Sequence, residues 1–199
     1  LMNRYLPRLS WLLSSFCLLL SGGLKTQAQD SWQKNNQFVD TDDLLAITFF
    51  KGQFVISGNK FNSSSLWLMD EDGTITQAKQ SPRFPIYSLA ASGDRIVAGG
   101  EADYVDGVMT ARSATSTNGS QWKDNSPVFE IENFSGLIDR KPHITDLVFY
   151  PNDNMFYGVA TNSILRTTDG QNWERITSVG QPSSYLTAIG ANESTLFAA

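Results

Sequence analysis

The sequence predicts an all-β fold: a partial β-propeller of four-stranded antiparallel blades, about three and a half repeats, preceded by a signal peptide helix. Three observations carry this expectation. First, one hairpin pattern recurs: "LLAITFFKGQFVISG" (44–58), "IYSLAASGDRIVAGG" (86–100), "ITDLVFYPNDNMFYGVA" (144–160) and "YLTAIGANESTLFAA" (185–199). Second, a third strand and a polar turn follow the first three copies, in "SSLWLMDEDGTIT" (64–76), "VMTARSATSTNGSQW" (108–122) and "NSILRTTDGQNW" (162–173). Third, no stretch after the leader carries a helical period, and prolines at 82, 85, 127, 142, 151 and 182 discourage helices further. A repeat of about 45 residues with about four strands makes one propeller blade, which buries its faces only by stacking on its neighbours.

In chain order, residues 1–28 read as a signal peptide. Arg4 and Arg8 form a basic start, "LSWLLSSFCLLL" (9–20) is apolar but too short to span a bilayer, and Ala28 offers a small residue for cleavage. The protein is therefore expected to be exported, periplasmic or extracellular and bacterial in type, with no stable membrane insertion after cleavage. Residues 29–43 read as an acidic linker; its "DTDD" (40–43) lacks the spaced ligands and glycine of a calcium loop. The repeats follow at 44–85, 86–143, 144–184 and 185–199. Aligning Phe54, Ile96, Met155 and Leu196 superposes their second strands, and Gly73, Gly119 and Gly170 are expected to mark equivalent turns. The runs of Val, Ile, Phe, Tyr and Leu bounded by Gly, Asn, Asp and Ser read as strands. The small residues that close them, such as Gly99 and Gly100, admit close neighbours.

Bulk properties exclude several functions. The only cysteine, Cys17, lies in the leader, so the exported domain rests on its core without disulfides. Three of the fifteen basic residues and none of the twenty acidic ones fall in 1–28, leaving twelve against twenty and a net charge of −8. Nucleic acid is an unsuitable partner for such a surface. His143 is the only histidine, so neither a His-rich metal site nor a site needing two histidines is available. No glycine-rich phosphate loop opens a helix. No cofactor and no metal are expected.

Two octets stand out: "TSTNGSQW" (115–122) supplies Ser116, Asn118, Gly119 and Trp122, and "RTTDGQNW" (166–173) supplies Thr167, Asp169, Gly170 and Trp173. Gly provides positive φ in a tight hairpin, Asp or Asn accepts turn N–H groups, Ser or Thr does likewise, and Trp folds back over the turn. These octets resemble the bacterial neuraminidase repeat, or Asp-box, family, with a decayed third copy at Asp70, Asp72 and Gly73, where Ile75 and Thr76 stand in place of Trp. In that family the octet is structural. The resemblance implies a propeller, and it raises two functional classes, because the family includes both sialidases and photosystem assembly factors.

Sialidases clamp a carboxylate with arginines and use a Tyr–Glu pair and an Asp. Arg83, Phe84 and Pro85 echo their Arg-Ile-Pro element, and Asp103 and Asp106 follow in the next loop, which makes Arg83, Asp103 and Asp106 the catalytic candidates. The remaining groups would lie beyond residue 199. The expected function is binding of an extracellular or periplasmic protein or glycan, with the aromatic loop residues Tyr104 and Tyr185 as contact candidates; a sialidase-like glycoside hydrolase is the alternative. Ring closure takes at least four blades. The sequence is therefore expected to be the N-terminal part of a longer protein, with self-association through open ends as the competing account.

Overall fold

The computed structural model of the chain describes residues 43–60, 63–105, 108–130, 143–178 and 185–199. The expected signal peptide lies outside these residues. So does the linker apart from Asp43, which already belongs to the first strand.

The chain folds as a partial β-propeller. Sheet one holds β1 (Asp43–Phe50), β2 (Gln53–Lys60), β3 (Ser63–Asp70) and β4 (Ile75–Gln77). Sheet two holds β5 (Ile86–Ala91), β6 (Ile96–Val105), β7 (Val108–Ser116) and β8 (Lys123–Glu130). Sheet three holds β9 (Ile144–Tyr150), β10 (Met155–Ala160), β11 (Ser163–Thr167) and β12 (Glu174–Ser178). A hairpin of β13 (Ile189–Ala191) and β14 (Leu196–Ala198) begins a fourth. Strands pair with their sequence neighbours, all antiparallel, and the first strands β1, β5, β9 and β13 lie against one another in succession.

The cores sit between sheets, as period-2 alternation requires when both faces of a sheet are covered. Phe50, Val55, Leu66 and Leu68 of sheet one meet Ile86, Leu89, Ile96 and Trp122 of sheet two. Ala90, Val97 and Ala111 on the other face of sheet two meet Ile144, Leu147, Phe156 and Leu165 of sheet three. Tyr157 and Val159 then meet Leu186 and Ile189. Gly99 is fixed by this stacking: a Cβ there would collide with the Ile144 side chain of the next sheet.

The pairing corrects the sequence alignment in two places. Ile96 faces the preceding sheet, and so does Phe156, whereas Met155 packs on the opposite side. The equivalent of Ile96 is therefore Phe156, one residue beyond the expected Met155. The decayed octet is also shorter. Met69↔Ile75 closes a turn over 70–74, whereas Thr115↔Lys123 and Arg166↔Glu174 close turns over 116–122 and 167–173. Gly73, Gly119 and Gly170 each stand fourth in their turn with positive φ, but the shorter turn of sheet one lacks the octet's closing Trp.

Antiparallel meanders send alternate turns to opposite ends of a sheet. The turns after β1, β5, β9 and β13 share one end with the octets. The hairpins after β2, β6 and β10, and the connectors between sheets, share the other.

Candidate functional site

The octet end is built the same way twice. Ser116 Oγ accepts the N–H groups of Asn118 (3.3 Å) and Gly119 (2.9 Å), and Asn118 Oδ1 accepts those of Ser120 (3.0 Å) and Gln121 (2.9 Å). Trp122 Nε1 donates to the Gly119 carbonyl at 2.8 Å. In sheet three Thr167 Oγ1 accepts from Asp169 N (3.3 Å) and Gly170 N (3.0 Å), Asp169 Oδ1 accepts from Gln171 and Asn172 (2.8 Å each), and Trp173 Nε1 donates to the Gly170 carbonyl at 3.1 Å. Burial alone would raise the pKa of Asp169, but the N–H donors of Asn172 and Gln171, with the Asn172 and Thr167 side chains, outweigh it and hold it at about 2.

These turns also reach into the preceding sheet, which a single hairpin's sequence does not reveal. The Gly170 carbonyl accepts from Ser113 Oγ (3.0 Å) and Asn125 Nδ2 (2.9 Å), both in sheet two, and Trp173 Nε1 also reaches Ser113 Oγ at 3.2 Å. Arg95 Nη1 donates to the Asp169 carbonyl at 3.2 Å. One sheet earlier, Lys51 Nζ donates to the Thr117 carbonyl (3.0 Å), and Gln80 N to the Ser120 carbonyl (3.1 Å). A cleft of about 470 Å³ lies among Arg95, Trp122, Lys123 and Gln171. Its cations are already engaged, Arg95 with Asp94 at 3.0 Å and Lys123 with Gln171 at 2.9 Å. This end is a joint between blades.

The opposite end differs. Measured from the paired positions Gly58↔Ser65, Gly100↔Arg112 and Ala160↔Ser163, the hairpins span 59–64, 101–111 and 161–162. Sheet two alone projects. A bulge between Gly100 and Asp103 re-aims the strand, and pairing resumes at Asp103↔Thr110 and Tyr104↔Met109. Asp103 and Tyr104, expected in a loop, therefore sit on β6. Asp106 lies outside the described residues.

Arg83, Phe84 and Pro85 cross over the base of this hairpin. A Cβ at Gly100 would strike the Pro85 carbonyl and the Phe84 ring, and Glu101 N donates to that carbonyl at 2.8 Å. The result is a cleft of about 200 Å³ that brings together Arg83, Phe84, Glu101, Asp103 and Arg112. Two of the three catalytic candidates, Arg83 and Asp103, thus share one site. Arg112 completes it: its guanidinium lies 5.3 Å from the Phe84 ring centroid and pairs with Asp103 at 3.0 Å. Sequence spacing alone does not assign Arg112 to this site, because it comes from the returning strand β7. The Asp103 carboxylate also accepts the Tyr104 N–H at 2.8 Å.

His143 Nδ1 accepts the Ala102 N–H at 2.9 Å and its ring meets Tyr87 edge-on at 5.3 Å. That bond ties the start of sheet three to the projecting hairpin. Tyr104 is 67% exposed. Tyr185 is also exposed at this end, next to Leu186, whose N–H donates to the Thr161 carbonyl at 2.7 Å. Thr161 holds φ 53°, a strained conformation for a β-branched residue, costing on the order of 1–3 kcal/mol.

Chemically, the cleft offers an exposed guanidinium, two carboxylates and an aromatic floor. Its volume suits a single side chain or sugar ring better than a large ligand. Glycoside hydrolysis calls for two carboxyl groups flanking the bond, and Glu101 and Asp103 are both present. Among the described lining residues there is no tyrosine to serve as nucleophile.

No protein family and no curated protein matches the chain. Among solved structures, the computationally designed Ika4 protein is similar at TM-score 0.51 and 15% identity, over 84% of this chain and 88% of that one. The Bombyx mori GH32 beta-fructofuranosidase BmSUC1 gives TM-score 0.47 at 15% identity, over 70% of this chain and 35% of its own. Virginiamycin B lyase from Staphylococcus aureus gives 0.44 at 16%, over 83% and 65%. The chain therefore spans about a third of the fructofuranosidase and less than two thirds of the lyase. The likeness to Ika4 is one of fold, and it agrees with the stacked four-stranded sheets.

Proposed function

We propose that the chain is an exported β-propeller binding module that recognises a periplasmic or extracellular protein or glycan through its projecting-hairpin end. The observation that carries this reading is the gathering of Arg83, Asp103 and Arg112 in one cleft at the base of the hairpin that extends beyond its neighbours, with Tyr104 exposed on that hairpin. Recognition sites concentrate on such extensions of a rigid scaffold. The leader-like segment 1–28 supports export, and the acidic balance of the remainder disfavours nucleic acid. The test is a glycan array and a pull-down against periplasmic extract, using the protein and its Arg83→Ala/Tyr104→Ala variant. A specific ligand retained by the first and weakened at least about tenfold in the second is expected; equal retention by both would overturn the site.

A second reading, a sialidase-like glycosidase, draws on Arg83 and Asp103 meeting in one cleft. It expects fluorophore release from a sialoside analogue, abolished by Arg83→Ala. Turnover without stable ligand retention would favour it over binding.

A further inference from the structure

We infer that His143 is a pH-sensitive pin that aims the projecting hairpin: its neutral ring holds the bulge of β6 in place, and protonation releases it. The device goes beyond the binding function, because it belongs to the fold whether or not that end holds a ligand.

The bulge carries the argument. Between the pairs Gly100↔Arg112 and Asp103↔Thr110, two residues of β6, Glu101 and Ala102, stand opposite Ala111 alone. Here β6 changes direction and carries Asp103 and Tyr104 outward. The two extra residues are held from outside the β6–β7 ladder. Glu101 N donates to the carbonyl of Pro85, just ahead of β5, at 2.8 Å, and Ala102 N donates to Nδ1 of His143, just ahead of β9, at 2.9 Å. Ala102 is buried and lines the cleft, so the second bond reaches directly into the candidate site.

One of these two pins titrates. A backbone N–H only donates, so Nδ1 presents its lone pair and the ring proton sits on Nε2. An imidazolium has no lone pair: it would set N–H against N–H and leave the buried Ala102 donor unpaired. The bond therefore favours the neutral ring, and its contribution is present at neutral pH and lost as falling pH protonates the ring. The other titratable groups nearby are Tyr87 on β5, which meets the ring edge-on, Glu101 and Asp103 on either side of Ala102, and Asp146 on β9. Asp103 pairs with Arg112, whose guanidinium lies over Phe84, and Asp146 accepts the N–H groups of Leu147 and Ile189. Of these chemical types only imidazole ordinarily changes charge between pH 5 and 8.

The experiment is an NMR titration of the labelled protein from pH 8 to 5, following the His143 ring and the amide exchange of Ala102. His143 is the only histidine, so its ring signals are unambiguous. The protection factor of Ala102, corrected for intrinsic exchange, should fall at least about tenfold as the ring protonates. The amides of Asp103 and Tyr104 should shift along the same curve, while those of Gly119 and Gly170 at the octet end stay fixed. In His143→Asn, whose Oδ1 can accept the same N–H but gains no proton, the pH dependence should vanish. Unchanged Ala102 protection as the ring protonates would overturn the inference, as would a ring that stays neutral down to pH 5, or a fall that persists in His143→Asn. The wild-type curve alone is decisive should the variant fail to fold.

Discussion

The two ends of the same blades follow opposite rules. At the octet end, sheets two and three repeat one hydrogen-bond set almost atom for atom, and each turn passes bonds to the sheet before it. At the other end the three hairpins differ in reach, and only one projects. Repetition marks the end where every blade must solve the same packing problem. Divergence marks the end where packing imposes little and a single blade can carry a site.

The comparison is broken most severely by removing an indole. Trp122→Ala should destabilise the fold by about 3–5 kcal/mol, because that ring is buried between sheets one and two. Trp173→Ala should cost less, since its ring is only partly buried. Urea titration checks both, and equal, small losses would remove the octets from the joint.

A subtler change concerns charge. Asp169 is held at about 2 in the folded state, below its ordinary 3.8. Its folded value is depressed, so the stability it contributes is complete above about pH 4 and is lost as pH falls through about 2. The contribution is on the order of 1–2 kcal/mol, allowing for partial solvent screening. The equivalent residue in sheet two is Asn118, which does not titrate. Asp169→Asn should therefore flatten the acid limb of a stability–pH profile between pH 4 and 2; an unchanged limb would contradict the assigned hydrogen bonds.

Much of this architecture is readable in the residues themselves. Apolar runs closed by Gly, Asn and Asp give the strands, and the Ser/Thr, Asp/Asn, Gly and Trp spacing gives the two octet turns. The register slips in sheet three, whose hairpin carries one more pair, Tyr150↔Met155, before its four-residue turn, while sheet one aligns with sheet two as expected across its two-residue turn Lys51-Gly52. Both residues adopt positive φ, the signature of a tight hairpin. Partners across a blade boundary are not readable at all: nothing around Gly170 names Ser113 or Asn125 as its donors. The cleft is half readable. Arg83 and Asp103 are found by type and neighbourhood, but Arg112 joins them only because β7 returns beside β6.

The central claim is that the octet turns join one blade to the next, and one chemical change at two glycines tests it most directly. Gly170 and Gly73 both have positive φ, 73° and 84°, so Ala costs each about 1 kcal/mol of backbone strain. A Cβ at Gly170 would also lie 2.5 Å from Thr115 and 2.7 Å from Val97 of the preceding sheet, whereas at Gly73 it meets nothing within 4 Å. Denaturant unfolding should show Gly170→Ala costing about 1–3 kcal/mol more than Gly73→Ala. Equal losses would mean that the turn stands alone, and the account of the joint would fail.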